Sequence, residues 1–151
     1  MQTSQPAVLP AFGQETAKWV LDAIEANPNL HDQGSWEEVT DCGTAMCVAG
    51  WAAFLHSGLL QEKVAQEITD RLDWRCTCSL CAAGPADPES MARMTEEARN
   101  AMIPEVGEEV LALTPGDRGK LFTRCTNAQA VQALKFLAAG QPIDWVEVRR
   151  Q

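Results

Sequence analysis

Apolar side chains recur three and four residues apart along most of this chain, and helix start and stop signals punctuate them. That pattern narrows the reachable folds to helical ones. Ala17, Val20, Leu21 and Ile24 form one stripe after Gly13, and Asn27-Pro28 closes it, which predicts a first helix near residues 14–26. Leu60, Val64, Ile68 and Leu72 form the cleanest stripe and predict a helix over 60–73. Asp87-Pro88 supplies an N-cap and a first-turn proline for a helix reaching about Met102, with Met91, Met94 and Ala98 on its apolar face. Thr114-Pro115 with Asp117 repeats the start signal before Leu121-Phe122, and Thr126 with Gln129 has capping-box spacing. The last helix runs from there through Val131, Leu134 and Leu137 to a stop at Gly140. With 22 Ala and no Tyr, propensity agrees with pattern. The expected fold is therefore all-α: a single compact domain over residues 1–151, of five to seven helices with short connections. The final PIDWVEV alternates weakly and reads as a short C-terminal strand or a packed tail.

The most apolar stretch is DCGTAMCVAGWAAFLHS, residues 41–57. Its Gly43, Ala45, Ala49, Gly50, Ala52 and Ala53 permit close approach of a second backbone, so it is expected to be a central buried helix. Asp41 or Cys42 begins that helix, Thr44 lies in its first turn, and Gly58 ends it. The preceding polar connection holds Ser35 and Glu38 at capping-box spacing, which predicts a short helical turn burying Trp36.

Charge limits the functions available. Twelve Lys and Arg face 21 Asp and Glu, a formal charge of -9. Residues 1–74 carry 3 basic and 11 acidic side chains, net -8, while residues 75–151 carry 9 and 10, net -1. The only basic cluster, Arg118, Lys120 and Arg124 beside Asp117, is small, and Arg149 and Arg150 add a basic tail. The whole-chain field opposes phosphate backbones, so no direct nucleic-acid binding is expected. The reverse reading is phosphate mimicry, in which the acidic half inhibits a nucleic-acid-binding host protein. No apolar run reaches membrane-spanning length, so no membrane association is expected. The first fifteen residues lack Lys and Arg and carry Pro6 and Pro10, which points to the cytoplasm, the host's if the chain is phage-encoded.

Cysteines supply the sharpest chemical signal. Residues 75–88, RCTCSLCAAGPADP, read as a Cys-rich loop or insertion in which Cys76, Cys78 and Cys81 fall within six residues. Thiolates so spaced can converge on one tetrahedral zinc, which would pin a loop too poor in apolar residues to order itself. Cys125, Cys42, Cys47, His31 and His56 are the candidates for a fourth ligand, and spacing chooses none of them. Cys125 is taken as the working choice. Cys42 and Cys47 read first as small buried hydrophobes, with a Cys42 nucleophile as the alternative. Such an enzyme needs His31 or His56 beside the sulfur. Phosphate loops, His-Glu-x-x-His and Gly-x-Ser-x-Gly are absent from the sequence. Trp19 and Trp51 read as core. Trp36 and Trp74, at element ends, read as partner anchors, with Glu37, Glu38 and Asp41 beside the first.

A Trp followed by Cys42-Gly43-Thr44-x-x-Cys47-x-Ala49-Gly50-Trp51-Ala52 resembles a family of small proteins from actinobacteria and their bacteriophages. The segment from Leu113 to Gly140 is similar to that family too, and with the first helix the resemblance covers some two thirds of the chain. It implies a helical fold and a phage or mobile-element setting, without a reaction, and the Cys76 to Cys81 cluster lies outside its pattern. The expected function is a small acidic, non-enzymatic protein-binding accessory protein, with a Cys-liganded structural zinc. The partner is a protein of unknown identity.

Overall fold

The computed structural model describes residues 8–34, 38–40, 43–73 and 88–151. Helix α1 spans Gln14–Ala26 and buries Thr16, Ala17, Val20, Ala23 and Ile24, the stripe legible in the sequence. Gly13 precedes it at φ 88, a conformation that disfavours side chains, and its N–H donates to Val110 O at 2.8 Å. Asn27 ends the helix, folding its side-chain amide back onto Ala23 O at 2.9 Å, and Pro28–Leu30 then forms a 3-10 turn.

Two short strands follow, β1 (Glu38–Thr40) and β2 (Gly43–Ala45), paired antiparallel with Val39 opposite Thr44. They correct three expectations. Glu38 lies in a strand and starts no helical turn, Thr44 lies in a strand and not in a first turn, and the buried helix α2 spans only Val48–Leu55. Tertiary hydrogen bonding is the reason. Met46 N–H donates to Leu30 O at 2.9 Å and Asp32 N–H to Met46 O at 3.0 Å, which holds this stretch extended beside His31. The rest of the reading holds: α2 is buried on every face apart from Phe54, as a central helix should be.

Helix α3 begins at once, over Ser57–Asp73, so Gly58 is helical and does not cap α2. Helix α4, Pro88–Val110, runs eight residues past its expected end and through Pro104. Helix α5 (Pro115–Thr123) starts on Thr114, whose hydroxyl accepts from Asp117 N–H, as expected. Helix α6 (Asn127–Ala138) has both halves of the Thr126–Gln129 capping box and stops at Gly140, φ 72. The expected C-terminal strand is corrected to a one-turn helix, α7 (Trp145–Val148). The Asp144 carboxylate accepts from Val146 and Glu147 N–H and caps that turn.

The described residues thus form an all-α architecture with one small β-ribbon. α1 packs on α6, while α2 and α3 both pack on α4. One apolar cluster runs through α1, α2, α4, α5 and α6 to Val148, with Trp51 inside it and Trp19 half-buried against it. The small residues of α2 do what their sequence implies. Gly107 of α4 lies so close that a Cβ there would stand 3.1 Å from Ala49 Cα and 3.0 Å from the Phe122 ring. Among the described residues no helix is long and apolar enough to cross a membrane.

Candidate partner-binding groove

Antiparallel packing of α1 on α6 joins the start of one to the end of the other, where Gln14 Nε2 donates to Ala138 O at 3.1 Å. At the opposite end, the last turn of α1 and the first turns of α6 diverge around the Pro28–Leu30 turn. An open groove of about 620 Å³ lies between them. Ile24, Pro28 and Val131 line it with apolar groups, and Glu25, Gln132 and Lys135 bring polar groups and charges of both signs.

A buried polar hub fixes the wall of this groove. The side chain of Gln33 donates from Nε2 to Leu121 O at 2.6 Å, so its Oε1 is left to accept. It accepts from Val48 N–H at 3.2 Å and faces His31 Nε2 at 3.0 Å. Because Oε1 cannot donate, His31 carries its proton on Nε2. Asn127, first residue of α6, closes the ring: its Oδ1 accepts from Gln33 N–H at 2.8 Å and its Nδ2 donates to His31 O at 3.0 Å. Trp51 Nε1 adds a bond to Leu30 O at 3.3 Å. Segments 30–33, α2, α5 and α6 are thereby locked together behind the groove. Burial holds the His31 pKa below its usual value, against the opposing pull of Gln33 and, after it, Asp32.

His56 is committed elsewhere. Thr16 Oγ1 donates to Ala11 O at 2.8 Å, so it accepts from His56 Nε2 at 3.1 Å, and the Phe12 ring stands edge-on to the imidazole at 5.2 Å. Burial lowers this histidine too. Cys47, fully buried at the start of α2, has its thiol pushed up to about 11 by burial, which keeps it a neutral packing group at ordinary pH.

No family model, curated protein or solved structure matches the chain.

The expected site residues divide between described and undescribed stretches. Trp36, Glu37, Asp41 and Trp74, and the thiols of Cys42, Cys76, Cys78 and Cys81, lie outside the described residues. Glu38 is placed in β1. Cys125 is half-buried between α5 and α6, and burial raises its pKa. Among the described residues no three His, Cys, Asp or Glu side chains group as metal ligands. The described acidic residues of the first half divide chiefly between α1, with Glu15, Asp22 and Glu25, and α3, with Glu62, Glu67 and Asp70. Sequence reasoning missed Gln33 and Lys135. Gln33 sits in a polar connection with no periodicity, and only the fold reveals that it is buried.

Proposed function

We propose that this chain is a non-enzymatic protein-binding accessory protein, of the phage or mobile-element kind implied by the resemblance, and that the α1–α6 groove receives its partner. The observation that carries the reading is the groove's make-up. Ile24, Pro28 and Val131 line it together with Glu25, Gln132 and Lys135, the mixture of apolar and polar groups that a protein interface carries. The hub behind it supports the same reading, because a wall held by Gln33 and Asn127 needs little ordering when a partner arrives.

Affinity capture from host lysate with wild type and with a Gln132→Arg, Lys135→Glu double variant of equal thermal stability tests this. A protein recovered by wild type and reduced at least about tenfold with the variant is expected, since reversing the Lys135 charge and placing a new one at position 132 opposes the partner's charge pattern. Equal recovery by both, or no protein above control, overturns it. The thiolate-held zinc of Cys76, Cys78, Cys81 and Cys125 is a separate part of the proposal. It is read by elemental analysis of wild type and Cys78→Ser: a metal-free wild type of undiminished stability ends it.

A further inference from the structure

A second concavity, on the other side of the α6 start, has a different chemistry. The fold divides the basic cluster of the sequence. Arg118 turns to α4, where its guanidinium pairs with Glu105 at 2.7 Å and with Glu108. Lys120 and Arg124 turn the other way and meet Arg149, from the far end of the chain, around a small pocket of about 70 Å³. Gln129, Trp145, Cys125 and Val148 complete its wall. Trp145 is fixed there: its Nε1 donates to Asp117 Oδ1 at 2.8 Å, and the Lys120 ammonium stands 5.5 Å from the ring centroid. The indole thus holds Lys120 in place without neutralising it. Gln129 spends its Oε1 on Thr126 N–H in the capping box, which leaves its Nε2 as a donor on the pocket wall.

The charge balance makes this arrangement notable. The chain has 21 carboxylates for 12 Lys and Arg; among the described residues Arg71, Arg118, Arg150 and Lys63 are paired, Lys18, Arg93 and Lys135 stand apart from one another without an ion pair, and only at this pocket do three such cations line one concavity. Lys120, Arg124 and Arg149 have no carboxylate within salt-bridge distance among the described residues. Three cationic side chains that line one small concavity favour an anion within it, with the Asp117 carboxylate engaged by the Trp145 indole beside them. We infer that the Lys120–Arg124–Arg149 pocket binds a single phosphate group, either inorganic phosphate or a phosphomonoester. A compact tetrahedral oxyanion presents oxygens to three cations and an amide donor at once, and guanidinium forks match its edges. A carboxylate is planar and reaches fewer of them.

The test is a two-dimensional amide NMR titration of the full chain at constant ionic strength, with inorganic phosphate, phosphoserine and acetate as probes. Saturable shifts centred on residues 120–129 and on the Trp145 indole N–H are expected with phosphate or phosphoserine, and acetate should bind at least about tenfold more weakly. Arg124→Gln and Arg149→Gln, both at exposed side chains, should each weaken binding about fivefold or more with the thermal midpoint unchanged. Tighter binding of phosphoserine assigns a phosphomonoester, and equal or tighter binding of inorganic phosphate assigns the free ion. Linear, unsaturable shifts, acetate binding as tight as phosphate, or undiminished affinity in both variants each overturn the inference.

Discussion

Gln33 shows how much one side chain can hold. Its amide satisfies a carbonyl of α5, the first free N–H of α2 and an imidazole, while its backbone N–H bonds to the start of α6. Buried groups that lose such partners cost about 1–3 kcal/mol each. Gln33→Leu keeps the volume but strands Leu121 O, Val48 N–H and His31 Nε2–H together. A loss of about 3 kcal/mol or more is expected in urea denaturation, allowing for partial relaxation. A loss under about 1 kcal/mol would show that water takes the amide's place. Nothing in the sequence around Asp32-Gln33-Gly34 announces this role, since glutamine there reads as any surface polar residue. Cys47 was legible by contrast, because a small thiol amid Ala, Gly and Val belongs in a core.

Helix boundaries were legible wherever the boundary chemistry is local. Thr114, Thr126, Asn27-Pro28 and Gly140 act through bonds within a few residues, and each ends or starts a helix where its type implies. α4 misleads because tertiary packing overrides its local signal. Pro104 lacks the N–H that would bond one turn back, yet the helix continues because Ile103, Val106, Gly107 and Val110 are buried by packing on α2 and α5. Its true end carries no glycine: Ala112 takes the left-handed position at φ 52, with Leu113 N–H reaching back to Glu108 O at 3.0 Å. A Cβ in that conformation costs about 1–2 kcal/mol. Ala112 is exposed, so Ala112→Gly should remove the strain and, after the entropy that glycine adds to the unfolded chain, raise stability by about 0.5–1 kcal/mol. A thermal melt reads this as an upward shift, and a downward one would mean that the alanine methyl packs usefully.

Across the whole molecule, the two histidines give stability a pH dependence of defined sign. Both have pKa values held below 6.5 by burial, at sites on different parts of the fold. The unfolded chain therefore binds more protons than the folded one as pH drops below about 6.5, and folding loses free energy there. Their contribution is full above that pH and declines toward each folded-state value. The thermal midpoint should fall by several degrees between about pH 7 and about pH 5, and replacing both histidines with Gln should flatten the curve in that window. A midpoint that rises as pH falls would mean that relief of the -9 self-repulsion outweighs the imidazoles.

The sequence by itself determined the all-α class and the local helix starts and stops. It also marked Ala49 as a place of close approach, which Gly107 now occupies. These depend on propensity, periodicity and hydrogen bonds spanning a few residues, all of which a linear text contains. Only the tertiary structure decided that residues 43–46 are extended, because their partners are Glu38–Thr40 and the Leu30–Asp32 backbone. It alone turned Arg118 toward α4 while bringing Arg149 to Lys120 and Arg124. It alone buried Gln33 and bonded it to Leu121, 88 residues further along the chain. Hydrogen bonds and charge pairing over such separations depend on where packed helices leave their ends, and no local pattern encodes that.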